Sequence, residues 1–336
     1  MRIYYLPMRS SQKAVSIGGG CGAVQVLLGL RAHLDDLTGI IAVTDTGRST
    51  GKVRDLASIP APGDIRNALG TLAGDETDFA KLIQHRLSVP KHDSLNGVAF
   101  GNLMLAALTQ QTGDFGAAVD CMREMLGVRV RILPVTTHST HICAELVDGT
   151  LLEQELNVRA LGKPPIKRVF IQDRMAVAYK PCIDAVCDAD LITIGPGSLF
   201  TTVIACLAFD DLSRAIRESK AKVVYMCNNT TQPGQTDGFT LADHVQQMMI
   251  YLHGRLDAVL LNSRAPSQAL RDAYARDGVD VLSPTDDEIK RIERMGVRPI
   301  VRDLAQLTDN KRDLYDKQDS IRHDPAAVAT ALMELL

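Results

Sequence analysis

No excess of basic charge marks this chain, and that absence removes one class of function at once. The 37 Lys and Arg stand against 40 Asp and Glu, a formal net charge of -3, and aromatics make up only 4% with no Trp. A nucleic-acid partner calls for a basic stripe interleaved with stacking rings, and the chain has none. No apolar run reaches the length needed to cross a bilayer. The opening MRIYYLPMRSSQK also has too short an apolar stretch for a signal peptide. The 7 cysteines (Cys21, Cys121, Cys143, Cys182, Cys187, Cys206, Cys227) are odd in number, lack framework spacing and sit mostly among apolar neighbours. A secreted disulfide scaffold is thereby disfavoured, and buried thiols in a reducing, cytoplasmic compartment are expected.

What is present is an alternation of strand and helix patterns in 336 residues of 46% hydrophobic content, enough to bury a large core. Val15–Ile17 reads as a strand followed by a helix to Leu30, and Thr38–Asp45 as a second strand. Residues 46–63 hold so much Gly, Ser, Thr and Pro that a loop is expected, with Asp64 capping a helix to about Leu72. Helical patterns follow at Phe79–Leu87, Leu103–Leu108 and Phe115–Leu126, then a strand at Val128–Val135. Ile142–Val147 and Thr150–Leu156 flank Asp148-Gly149, which predicts a type I′ hairpin and a β-rich excursion over about 142–180. Strands at Asp190–Ile194, Lys222–Cys227 and Asp257–Leu261 then alternate with helices. An extension over about 280–336 follows, preceded by a short strand at Val279–Leu282 and ending in a helix from Pro325. The spacing predicts an α/β fold: a mostly parallel, doubly wound sheet with helices on both faces.

Such sheets bind ligands at the carboxyl ends of their strands. The polar, glycine-rich clusters all fall there. Gly18-Gly19-Gly20-Cys21-Gly22 follows the first strand and Thr44–Gly51 the second; Gly195-Pro196-Gly197-Ser198 and Asn228–Gly234 follow two later ones. Four loops on one edge make one cleft. The first exposes amide N–H groups at a helix start, where a phosphate meets bare donors and the positive dipole end, and glycine permits close approach. Gly195–Ser198, with Thr201-Thr202 behind it, offers a second helix start, and the pair suits a diphosphate. Thr44, Asp45, Arg48, Ser49 and Thr50 add hydroxyls, a carboxylate and a guanidinium fit for phosphate or sugar. Gly63, Asp64, Arg66 and Asn67 open the next helix, and Thr231, Gln232 and Gly234 extend the loop after Asn228.

The first loop also fits G-x-G-x-x-A through Gly18, Gly20 and Ala23, with Asp45 where a ribose-binding acid would sit. That leaves NAD as the lesser ligand alternative, although no hydride-transfer site follows. His138 and His141 have H-x-x-H spacing without the further ligands zinc needs, so no metal site is assigned. Cys182 and Cys187 are expected in the core, and Asp243-His244 as a capping Asp beside a surface His.

Assembled in order, these motifs resemble the CofD-like (2-phospho-L-lactate transferase) superfamily and, within it, the YvcK-type gluconeogenesis factors. The resemblance rests on IGGGCG (17–22), the LLGL helix at 27–30, VTDTGRSTGKVR (43–54), PGDIRNAL (62–69) and GNLMLAAL (101–108), which brings in Asn102. DLITIGPGSLFTTVI (190–204) and NNTTQPGQTDGFTLADHV (228–245) continue it. It implies a three-layer α/β/α Rossmann-like fold and a single CofD-like domain over 1–336. One branch of the superfamily transfers phospholactate from a nucleotide diphosphate donor to a deazaflavin using Mg²⁺. The YvcK-type branch, to which PGDIR assigns this chain, is associated with UDP-sugars, carbon-source-dependent growth, cell shape and envelope synthesis.

The chain departs from the family pattern at titratable positions. Thr46 stands for an Asp and Arg48 for a Gly; Val98 replaces a His and Gln235 a Glu. Acid–base and metal chemistry need such groups, whereas binding needs donors and shape. The expectation is therefore a UDP-sugar-binding regulatory protein, the alternative a Mg²⁺-dependent transferase acting on a nucleotide-diphosphate-linked substrate. The partner is a small nucleotide ligand, with no membrane span. A homo-oligomer packed through the excursion at 142–170 is a further expectation.

Overall fold

The computed structural model describes residues 10–74, 77–89, 95–306 and 321–336, the side chains of Ser10 and Arg48 excepted. In chain order the strands are β1 (Ser10–Gly18), β2 (Leu34–Ile41), β3 (Arg131–Pro134), β4 (Ile142–Leu146), β5 (Leu151–Glu153) and β6 (Ile166–Ile171). Then come β7 (Leu191–Ile194), β8 (Lys222–Met226), β9 (Ala258–Asn262), β10 (Arg298–Arg302), β11 (Ala305–Gln306) and β12 (Arg322–His323). Seven of them form one sheet in the order β10-β9-β8-β7-β1-β2-β3, every neighbouring pair parallel. The chain leaves β1 toward β2 and β3, then returns to β1's other side and runs outward through β7, β8, β9 and β10. The order thus reverses between β1 and β7, and a crevice at the strand ends is a geometric consequence.

Helices flank this sheet, which explains its sequence: Ala14, Val15, Ser16 and Ile17 are buried in succession, as in a strand covered on both faces. The fold is the α/β Rossmann-like one expected. The excursion forms a separate antiparallel sheet in the order β5-β4-β6. The C-terminal helix Pro325–Met333 packs against the first helix, Gly22–Leu30, and so brings β12 back toward the central strands. Among the described residues no helix is long and apolar enough to cross a membrane.

Several local expectations are corrected. Residues 48–57 are a helix, Arg48–Ala57, despite their loop-like composition, because Ser49, Val53 and Arg54 bury its inner face. Asp64 does not cap its helix: Gly63–Ala73 starts after Pro62, and Asp64 lies within the first turn. The hairpin at 147–149 closes through Leu146 N–H to the Thr150 carbonyl (2.9 Å), and within it only Gly149 takes a positive φ (88°). A type I′ turn needs that conformation at both central residues, so a three-residue loop forms instead. Cys182 is buried as expected, but Cys187 is exposed. His244 is fully buried, with Nδ1 2.8 Å from the Thr240 carbonyl; Thr240 caps that helix and Asp243 completes a capping box. Val279–Leu282 forms no strand, only an isolated bridge between Thr230 and Val281.

Candidate functional site

The loop after β1 is pressed between two other strand-end segments. A Cβ on Gly20 would lie 2.2 Å from the Asp64 carbonyl oxygen, and one on Gly22 would lie 1.8 Å from that of Pro196. Backbone meets backbone at both places, so only glycine fits. Gly20 N–H donates to Asp64 Oδ2 (3.1 Å), while Asn67 Nδ2 donates to the Gly20 carbonyl (3.1 Å) and lies 2.8 Å from Cys21 Sγ. Residues separated by some 45 to 180 positions thus share one edge of the sheet, as the doubly wound order requires.

Above them opens a cleft of about 320 Å³. All four strand-end loops reach it. Gly19, Cys21 and Gly22 come from the first, Asp45 from the second, Pro196, Gly197 and Ser198 from the third, and Asn228 and Gln232 from the fourth. Asp64 and Asn67 join from the helix Gly63–Ala73. Two helix starts face it: Cys21 heads Gly22–Leu30, Ser198 heads a π-helical turn, Leu199–Val203, and in neither does the N-cap residue's own side chain cap the helix. Uncapped first-turn amides are ready donors for an anion, and π turns recur at functional sites. Ser198 Oγ donates to Gln235 Oε1 (2.9 Å), and Leu199 N–H donates to Gln232 Oε1 (3.3 Å). Gln235 is therefore an acceptor that orients the serine.

The remaining candidates lie elsewhere. Ser49 and Asn102 are buried behind the cleft wall: Ser49 Oγ accepts from Arg86 Nη1 (3.1 Å) and from Asn102 Nδ2 (3.5 Å). Arg66 donates to Gln84 Oε1 and to the Gly63 carbonyl, and burial, with Arg86 beside it, pushes its guanidinium down to about 10. Thr44 is buried, and Thr50 packs on Gly63. Gly18 and Gly195 are the backbone beneath the loops, Gly195 N–H donating to the Ile17 carbonyl (2.8 Å). Thr231 exchanges hydrogen bonds with the backbone of Asp280, and Gly234 N–H donates to Asp237 Oδ2 (2.8 Å). None of these nine lines the cleft. The Arg48 side chain lies outside the described residues.

The cleft also holds residues the sequence reading passed over. Glu155, almost fully buried, binds Arg159 Nη1 (3.1 Å) and accepts from Thr46 N–H (3.2 Å), which ties the second strand-end loop to a cleft carboxylate. The Glu155–Arg159 spacing of four was a visible signal of a helical pair. From the far end of the chain come Ile321, Arg322 and His323. His323 is buried, its pKa pushed down to about 4 by desolvation, and its Nε2 has no hydrogen-bond partner. Its sequence signal was slight: Asp324-Pro325 marks a helix start, and His323 merely precedes it.

Fold and site together define a Rossmann-like α/β protein with a cleft at the topological switch point. The chain belongs to the CofD family: the model described as 2-phospho-L-lactate transferase CofD matches residues 14–305. Within that family it groups with the gluconeogenesis factors of the YvcK type. It is 37% identical to the gluconeogenesis factor of Bacillus subtilis (strain 168) over 330 residues, covering 98% of this chain and 99% of that protein. It is 34% identical to the gluconeogenesis factor of Halalkalibacterium halodurans over 324 residues, covering 96% of each. Against a longer relative from Deinococcus radiodurans, 36% identical over 324 residues, the chain spans 66% of the protein's length. A crystal structure of a UPF0052 family member from Bacillus halodurans superposes with a TM-score of 0.86 at 33% identity, covering 96% of this chain and 99% of that one.

Proposed function

We propose that the protein binds a nucleoside diphosphate sugar of the UDP-sugar class in this cleft and acts as a regulator linked to carbon metabolism and the cell envelope. One observation carries the reading: two helix starts, neither capped by its own N-cap side chain, and the ends of four strand-end loops converge on one cleft. Amides at the two starts would hold the diphosphate, Gly19, Cys21 and Gly22 on one side and Gly197 and Ser198 on the other. Asp45, Asn228 and Gln232 supply groups for sugar hydroxyls. The gluconeogenesis-factor relatives support the link to carbon metabolism. Calorimetry against a panel of UDP-sugars, free nucleotides and NAD tests the binding. Heat with UDP-sugars is expected, and silence with every diphosphate ligand removes the reading.

A Mg²⁺-dependent transferase is the second reading, favoured by the carboxylates of Asp45, Asp64 and Glu155 on the cleft wall. Their geometry supports binding better. Asp64 holds the Gly20 amide, Glu155 holds Arg159, and among the described residues no three His, Cys, Asp or Glu stand close enough to share a metal ion. Mg²⁺ is commonly held by one or two carboxylates together with substrate phosphates, and Asp45 and Asp64 are the cleft residues that would hold it. Magnesium-dependent release of UMP or GMP from a diphosphate donor would establish the transferase instead.

A further inference from the structure

The second and fourth strand-end loops stand on opposite sides of the crevice. They follow β2 and β8, and β1 and β7 lie between, so three strand spacings, about 14 Å, separate the two strand ends. The β-rich excursion reaches both loops. On one side Glu155 Oε2 accepts from Thr46 N–H (3.2 Å), and Leu156 N–H donates to Thr46 Oγ1 (3.4 Å). On the other, Lys163 Nζ donates to the Gly234 carbonyl. Backbone is pressed on backbone there: a Cβ on Gly234 would lie 2.7 Å from the Ala160 carbonyl oxygen and 2.9 Å from that of Arg159. The helices behind the two loops are tied to the excursion as well. Arg54, on the helix Arg48–Ala57, donates to the Thr140 carbonyl. Tyr251, at the end of the helix Leu241–Tyr251, bridges the N–H (2.6 Å) and the carbonyl (3.0 Å) of Val169 on β6.

Residues 155–163 join the two anchor points by an unbroken run of chain, and Glu155 and Arg159 within it line the cleft. The Glu155 side chain is 2% exposed, and its other oxygen meets Arg159 Nη1 (3.1 Å). A buried, charge-compensated carboxylate holds the Thr46 amide through a charge-assisted bond. Each anchor adjoins a cleft residue. Thr46 follows Asp45, and Gly234 lies two residues after Gln232, whose Oε1 accepts from Leu199 N–H (3.3 Å) at the second helix start. We infer that residues 155–163 form a strap across the crevice and that Glu155 and Lys163 are positioning residues, which hold Asp45 and Gln232 at the separation a bound nucleotide needs. They act through the two loops rather than on the ligand. The inference rests on the nucleotide-sugar reading above and deepens it.

Amide hydrogen exchange of the protein without ligand tests the strap directly. Glu155→Ala is expected to raise exchange about tenfold around Thr46, where the bond is cut, and also around Gly234, at the far end. Lys163→Met should act in the reverse direction, and it carries the test if the Glu155 variant does not fold. Faster exchange at the cut end alone overturns the inference. Calorimetry with UDP-glucose reads the consequence for binding. Each single variant is expected to bind about tenfold more weakly, and the double variant no more weakly than that, because a strap cut once no longer holds. A loss of roughly a hundredfold in the double variant, the product of two independent effects, overturns the inference. Glu155→Gln keeps an amide oxygen that accepts from Thr46 N–H, so its affinity should stay within about threefold of the parent. A tenfold loss in that variant would mean that the carboxylate charge acts on the ligand itself, and would end the positioning role. Silence of the parent protein with UDP-glucose is a different result: it removes the nucleotide-sugar reading, and the exchange measurement alone then decides the strap.

Discussion

Asp64 and Arg66 stand two residues apart on one helix and serve two different regions. Asp64, Asn67 and Thr71 line the cleft, a spacing of i, i+3 and i+7 that marks one helix face. Arg66 falls on another face and joins Gln84 beside buried Ser49 and Asn102, which the exposed Arg86 and the Asn102 amide tie together. The first region opens to a ligand; the second packs behind its wall. Both draw on the same sequence motifs and the same residue types, so polar chemistry alone does not divide binding from scaffolding. Helical phase does. A guanidinium in a run such as PGDIRN belongs to the wall or to its support according to its angle around the axis.

The comparison is sharpened most by Gly22→Ala. Its Cβ would lie 1.8 Å from the Pro196 carbonyl oxygen, so the two loops must part. A loss of more than about 3 kcal/mol is expected, because backbone cannot yield as a side chain can. A chemical denaturation midpoint equal to that of the parent protein would mean the loops are not in contact. Acid comes next. His323 has its folded pKa depressed from 6.5 to about 4. The unfolded chain therefore binds the extra proton first, and stability falls as pH drops from about 6.5 toward 4, by as much as roughly 3 kcal/mol. Buried His244 adds in the same direction. His323→Phe should flatten the difference in stability between pH 7 and pH 4.5; an unchanged slope would leave the tail of the cleft exposed to water.

Arg66→Ala is the direct attempt to break the division. It removes bonds to Gln84 and the Gly63 carbonyl and the stem packed on Gly101, about 2 kcal/mol of stability. Ligand affinity should stay within about threefold. A tenfold loss of affinity at an unchanged melting temperature would return Arg66 to the ligand and erase the contrast between the two regions.

The fold was legible because its signals are local. A buried apolar strand, a glycine turn and an amphipathic helix repeat from β1 to β9, and their alternation alone implies a parallel sheet. The same locality made the strand-end residues Gly19, Asp45, Ser198 and Asn228 readable as one edge. What failed was tertiary. Nothing near His323 says that the last helix docks on Gly22–Leu30 and returns β12 to the cleft. Glu155 reaches it from a hairpin excursion, where Gln154 turns the chain with φ 72°. The helix Arg48–Ala57 was hidden by Ser, Thr and Gly, whose weak propensity is overridden by burial of Val53 and Arg54. Asp64 was read as a cap because an Asp at a helix start usually is one; a neighbouring loop claimed its carboxylate first.

Asn67→Ala probes the cleft side with the smallest change. Its amide joins the Gly20 carbonyl to Cys21 and so fixes the angle at which the first helix presents its amides. Deleting it removes partly buried hydrogen bonds, a stability loss of about 1 kcal/mol. The amide donors that would hold the diphosphate are then left in place but no longer held, and affinity for UDP-sugar should fall about tenfold while the fold survives. Asn67 thus reverses Arg66, its immediate neighbour on one helix: little stability and much affinity, against much stability and little affinity. If Asn67→Ala and Arg66→Ala lowered both quantities in the same proportion, the motif would act as one structural block, and helical phase would not separate wall from support.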